Sequence, residues 1–139
     1  MSLELTIVTP EGQAFQGDVE SVVLPGVEGD FGVLEGHEPF LSALRSGAIE
    51  VIASGGARRL AASSRGYAEI HSDKVTVMVG TCEWADEIDV ERAERARQRA
   101  LKALQEARAT AEGAADYAEL QEAYSRAVAR IAASERFKH

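Results

Sequence analysis

Apolar and polar residues alternate along the first stretch of the chain. Leu3, Leu5 and Ile7 are separated by Glu4 and Thr6, the period of a strand with one buried face. Pro10-Glu11-Gly12 is a turn signal. Residues 15–24 read as further strand, interrupted at Gln16-Gly17-Asp18 and closed by Pro25-Gly26. Residues 48–53 set Ile49 and Val51 against Glu50 and Ile52, Ser54-Gly55-Gly56 forms a hairpin turn, and residues 58–62 return. Ser63-Ser64-Arg65-Gly66 breaks that run. Residues 67–70 and 75–79, joined at Ser72-Asp73-Lys74, make another hairpin. Short strands at this spacing, punctuated by glycine, predict an antiparallel sandwich or barrel.

The period changes after Trp84. From residue 86 the chain is rich in Ala, Arg and Glu, with no Pro and one Gly. Asp86 or Asp89 caps a helix start, and Glu91 with Arg95 is an i,i+4 pair in the favourable order. Ala93, Ala96, Ala100, Leu104 and Ala107 fall on one helical stripe. Gly113 punctuates, and Asp116-Tyr117-Ala118-Glu119 has the spacing of a capping box. Leu120, Tyr124, Ala127, Val128 and Ile131 form a second stripe. The expected fold is α+β: an antiparallel β-sandwich over residues 1–85, then a two-helix antiparallel hairpin over residues 86–139. The stripes are mostly Ala, which favours helix but offers little area to bury. Such a hairpin is held weakly and can detach without melting, as a two-state switch requires.

Residues 27–44 stand apart from both patterns. Gly29, Gly32, Gly36 and Pro39 lie among the apolar Phe31, Val33, Leu34, Phe40 and Leu41, which predicts a bent, loop-rich segment pinned by buried Phe and Leu. The segment also concentrates Glu28, Asp30, Glu35, His37 and Glu38. One His among carboxylates is a poor metal set. A catalytic pair of His37 and Glu38 lacks a nucleophile. An acidic, solvated loop is the plainest reading, and neither a metal ligand nor a catalytic residue is assigned.

Of 139 residues, 45% are hydrophobic, which suits one modest core or two small units. The net charge of −8 argues against nucleic acid or anionic lipid as a direct partner. Residues 1–85 carry 12 acidic and 5 basic side chains, whereas residues 86–139 carry 11 and 10. The arginines therefore gather in the hairpin: Arg92, Arg95, Arg97, Arg99, Arg108, Arg126, Arg130 and Arg136. A lone Cys82 excludes an internal disulfide and fits a small buried hydrophobe in a reducing compartment. No stretch approaches the ~20 apolar residues of a membrane-spanning helix. The N-terminus has no signal-like core. Any membrane association is expected to run through another protein.

Four segments carry a family resemblance. GVEGDFGVLEGHEPFLSALRSG is similar to the SEGELGI-PGH-PLLTAL-like strings of the epsilon subunit of F-type proton-translocating ATP synthases, the delta subunit in mitochondria. LELTIVTPEGQAFQGDVESVVLPG resembles that family's opening strands, SSRGYAEIHSDKVTVMVG its later hairpin, and DEIDVERAERARQRA the start of its helical domain. The resemblance runs in order over essentially the whole chain. Glu35 departs from it, standing where the family usually has Pro.

That resemblance implies a non-catalytic central-stalk subunit. Its sandwich would bind the gamma subunit and the polar loops of the membrane c-ring, with Glu28, Asp30, Phe31, Gly32, His37 and Glu38 at the contact. Its hairpin would meet the alpha and beta subunits transiently and oppose ATP hydrolysis. The expected location is the cytoplasmic face of the bacterial inner membrane, held only through the complex. No cofactor is required, but ATP is implied as a regulatory ligand. Ile88-Asp89-Val90-Glu91-Arg92-Ala93 matches the I/L-D-x-x-R-A motif of ATP-binding members, with Glu83, Arg99, Arg126 and Arg130 as companions. Arginines from both helices would then surround a polyphosphate, while Asp89 would accept a hydrogen bond from adenine. The alternative is a stand-alone small-molecule binding protein or enzyme that uses His37 and Glu38.

Overall fold

The computed structural model describes residues 2–109 and 117–138. Ten strands come first: β1 Leu3–Thr9, β2 Gly12–Val19, β3 Ser21–Gly26, β4 Gly29–Leu34, β5 Phe40–Leu44, β6 Gly47–Ile52, β7 Arg58–Ser63, β8 Gly66–His71, β9 Lys74–Val79 and β10 Cys82–Trp84. A single 3₁₀ turn, Ala85–Glu87, leads to helices α1 Val90–Ala109 and α2 Tyr117–Lys138. Gly113 and Asp116, read above as punctuation and cap, lie outside the described residues, as does the side chain of Arg108.

The strands run β10-β7-β6-β3-β5-β8-β9-β1-β2, with β4 on the second edge of β3. The junction is β3. Its Ser21–Val23 half pairs with β6, whereas Gly26 pairs with Leu44 of β5. The ladder thus passes from one layer to the other along a single strand. Between the layers lie Leu3, Leu5 and Ile7 of β1, Val22 and Leu24 of β3, Ile49 and Val51 of β6, and Val75 and Val77 of β9, all buried. Their alternation with exposed neighbours is the period of two seen in the sequence.

Three expectations need correction. The sandwich is not wholly antiparallel: β1 pairs with β9 in parallel, Glu4 opposite Lys74 through Val8 opposite Met78. A parallel pair needs a long connection, and here β2 to β8 supply it. Second, Gln16-Gly17-Asp18 does not interrupt the strand. These residues pair with Thr6, Leu5 and Glu4, and the irregularity is instead a register shift at Ile7/Val8. Third, residues 27–44 are not mainly loop. They contain β4 and β5, and only residues 35–39 lie between them. Gly26 and Gly29 close the β3–β4 hairpin, Gly29 at φ +137° and Gly26 so tight that a Cβ would lie 2.6 Å from the Gly29 carbonyl oxygen. The glycines mark a tight turn between strands.

The helices form as their residues direct. Asp89 caps α1: its Oδ1 accepts the Arg92 N–H at 3.1 Å. Asp86 lies in the preceding 3₁₀ turn instead. Ala93, Ala100, Leu104 and Ala107 are buried on α1. On α2 the stripe is partly wrong, because Val128 is 39% exposed. The face that sequence reading missed is Ala129 and Ala133, which pack on Leu60, Ala62 and Ala85 with Ala48 and Ile88 beside them. Helix α2 therefore has two jobs, one face toward α1 and one toward β6 and β7. The hairpin touches the sheet chiefly through α2, although α1 is the helix joined to the sandwich by the chain.

Candidate functional site

Two regions collect the residues singled out by sequence. The first lies where β10 runs into α1 and faces α2. Glu83, Asp89, Arg92, Ala93, Ala96, Arg99 and Arg130 line a hollow of about 160 Å³ there. Cap geometry fixes Asp89 and Arg92, and helical spacing puts Arg99 two turns beyond Arg92. Arg130 reaches across from α2 and donates through Nε to Glu83 Oε2 at 3.0 Å. Arg92 and Arg99 form no ion pair among the described residues. Three guanidiniums against two carboxylates leave the hollow with a net positive charge.

Arg126 and Ile88 do not line it. Ile88 is packed against the apolar contact under α2. Arg126 stands one turn before Arg130 and is not among the lining residues of the hollow or of the recess beside it. A cavity of this size is below the ~300–1,000 Å³ of typical small-molecule sites. It adjoins a wider recess of about 580 Å³ that shares Glu83, Arg92 and Arg130 and extends past Thr81, Gly12 and Gln13. In that recess Cys82 has its thiol pushed up to about 11 by burial, partly offset by the nearby Arg59 charge.

The second region is the acidic segment. Glu28, Asp30, Gly32, Glu35, His37 and Glu38 are exposed and Phe31 is half-buried. Asp30 pairs with Arg45. His37 Nδ1 lies 2.8 Å from the backbone carbonyl oxygen of Glu38, not its carboxylate, so no His–carboxylate dyad is formed. The loop tip is tied to the β8–β9 turn, where Asp73 Oδ1 accepts the Gly36 N–H at 2.7 Å. Phe31 and Phe40 meet edge to face with centroids 5.5 Å apart.

An open hollow of about 550 Å³ lies beside this pair, lined by Val27, Glu28, Asp30, Phe31, His37, Phe40 and Leu41, among others. The apolar residues of this segment do not all anchor it. Val33 and Leu44 are buried, but Leu34 is 63% and Leu41 67% exposed. Of these, Leu41 lines the hollow with Val27 and Phe40, an apolar patch rimmed by the carboxylates of Glu28 and Asp30, the mark of a protein-binding surface. The sequence signal was present, since four apolar residues sit beside Gly and acid, but burial cannot be read from apolarity alone.

Comparison with known proteins covers both units. The family model described as ATP synthase, Delta/Epsilon chain, beta-sandwich domain matches residues 2–85. The one described as ATP synthase, Delta/Epsilon chain, long alpha-helix domain matches residues 86–135. The chain belongs to the ATP synthase delta/epsilon chain family.

Members of the family named ATP synthase epsilon chain match along nearly their full length. That of Nitratidesulfovibrio vulgaris is 42% identical over 130 residues, covering 94% of this chain and 93% of the relative. That of Syntrophobacter fumaroxidans is 42% identical over 134 residues, covering 96% of each. Among solved structures, a chain of the Euglena gracilis mitochondrial ATP synthase, resolved with its c-ring, superposes with a TM-score of 0.73 at 26% identity, covering 99% of this chain and 82% of that one. The delta/epsilon family thus accounts for both the sandwich and the hairpin. No helix among the described residues is long and apolar enough to cross a membrane.

Proposed function

We propose that the chain is the non-catalytic central-stalk subunit of an F-type ATP synthase, coupling proton transport to ATP synthesis. The observation that carries this is the match of two family models in succession, with relatives named ATP synthase epsilon chain along nearly the whole length. The patch of Val27, Phe40 and Leu41, rimmed by Glu28 and Asp30, is the surface for the gamma subunit and the c-ring. Its apolar centre suits a protein interface, and its acids suit cationic residues on the polar loops of the ring. The chain reaches the cytoplasmic face of the bacterial inner membrane through the complex alone, and nucleic acid is no partner. Alpha and beta subunits are met transiently by the hairpin, which in that position opposes hydrolysis.

A regulatory nucleotide is the second element of this reading. The hollow of Glu83, Asp89, Arg92, Ala93, Arg99 and Arg130 is polar and cationic, and takes a phosphate group. The adjoining recess has room for the rest of ATP. A ligand bridging α1 and α2 there stabilises the compact hairpin by RT ln(1 + [L]/Kd), about 1.4 kcal/mol at ~10-fold saturation. The deciding experiment is purification of a tagged copy at native level. Recovery of alpha, beta, gamma and c subunits with it is expected. Recovery of the chain alone from solubilised membranes refutes the proposal. An enzyme built on His37 and Glu38 is disfavoured by the ring's contact with a backbone carbonyl.

A further inference from the structure

The contact between α2 and the sandwich is poor in apolar area and rich in charge. Its apolar part is two alanines of α2 on Leu60, Ala62 and Ala85. Around it stand three polar ties. At the C-terminal end of α2, Glu50 of β6 lies between two guanidiniums: Oε1 is 3.6 Å from Arg58 of β7, and Oε2 is 3.1 Å from Arg136 of α2. Arg58 Nη2 also donates to the Arg136 carbonyl oxygen at 3.3 Å. Glu50 is the most enclosed of these groups, its side chain 17% exposed. Near the N-terminal end, Glu122 of α2 accepts the Ser46 hydroxyl at 3.2 Å and faces Arg65 at 3.7 Å. Arg130 and Glu83 make the third tie.

We propose that these ties form a salt-sensitive latch, with the Glu50–Arg136 pair at its centre, that holds the helical hairpin on the sandwich. Residues 122 and 136 are about 21 Å apart along a helix, so the ties are spread over most of α2. Their signs differ along it, acid near the start and bases near the end. That order fixes the direction in which α2 can lie on the sheet, which a stripe of alanines does not. Arg58 belongs to the sandwich and stays with Glu50 when α2 leaves, so the carboxylate is never stranded. The cost of opening is thereby kept low, as a reversible latch requires. The inference rests on these contacts alone and stands whether or not the chain works in a synthase.

The test uses the full chain, with Trp84, its single tryptophan, as a donor fluorophore at the base of the hairpin. An acceptor dye is attached to Glu119→Cys, an exposed position near the start of α2. Cys82 is replaced by Ala in every variant, so that the dye labels one position. Raising salt from about 20 to about 500 mM shortens the screening length from roughly 20 Å to roughly 4 Å. The undocked fraction is expected to rise about 5- to 10-fold, three partly exposed pairs each contributing little alone. Glu50→Gln at low salt is expected to raise it about 3- to 10-fold and to flatten the salt response. Arg136→Gln is expected to act alike, and Glu50→Gln with Arg136→Gln together to cost no more than either alone, since both break one pair. Energy transfer independent of salt overturns the latch. So does a double variant whose loss is the sum of the two single losses, with unchanged circular dichroism confirming that each variant is folded.

Discussion

Cutting the chain after Ala85 removes the hairpin and tests how much of the fold the sandwich carries alone. The residues that lose cover are Leu60, Ala62 and Ala85, with Ala48 beside them. Full exposure of a Leu side chain costs about 1.5–3 kcal/mol, and each alanine methyl about 0.8 kcal/mol or less. The loss is therefore roughly 3–4 kcal/mol at the upper bound of area-based reckoning. The core between the layers is untouched: Leu3, Leu5, Ile7, Val22, Leu24, Ile49, Val51, Val75 and Val77 face one another, away from α2. Folded domains keep about 5–15 kcal/mol in all, so the truncated sandwich remains folded but weakened. For a domain near this size each kcal/mol moves the midpoint by about 4–8 °C. A fall in Tm of roughly 12–30 °C is expected, with the β-type circular dichroism spectrum kept at 25 °C. Loss of that spectrum at 25 °C refutes the reasoning from a self-sufficient core. A Tm unchanged within about 2 °C refutes the other half, that docking of α2 stabilises the sheet.

Three further outcomes follow from the same geometry. Arg99→Ala removes a charge-assisted contact worth about 1.5–3 kcal/mol, so ATP affinity measured by calorimetry drops about 10- to 100-fold. Arg126→Ala, outside the hollow, leaves it within about threefold; equal loss in both variants places the ligand elsewhere. Reversing Glu28 and Asp30 to Lys together weakens proton pumping in the assembled complex while costing roughly 1 kcal/mol or less in stability, Asp30 losing its exposed pair with Arg45. Pumping equal to wild type counts against this surface as the c-ring contact. Finally, burial raises the Cys82 thiol from 9.0 to about 11, so the neutral form is favoured by folding. Its contribution is present below pH 9 and lost as pH rises toward 11, roughly 2–3 kcal/mol in all. Cys82→Ala flattens the decline of stability across that window in urea melts at stepped pH, and a slope identical to wild type counts against the burial argument.

The sequence by itself determined the elements that depend on neighbours along the chain. Alternation at Leu3, Leu5 and Ile7, the turn at Ser72-Asp73 and the Asp89 cap are local in origin and stand where the pattern put them. The family was legible too, in motifs spread over the whole chain. What the sequence left open was decided by contacts between residues far apart in it. The parallel pairing of β1 with β9 depends on how the layers close, which no period records. Strand β7 is buried on both faces, Ala61 toward the core and Leu60 with Ala62 toward α2, because a helix that comes some seventy residues later lies on it. The exposure of Leu34 and Leu41 follows from the sheet face they occupy. Of the eight residues assigned to the nucleotide, six share one hollow, while Arg126 and Ile88 fall outside it. Spacing of four along a helix fixes which side chains share a face. Only the angle at which α2 packs on the sheet decides which of them turns inward.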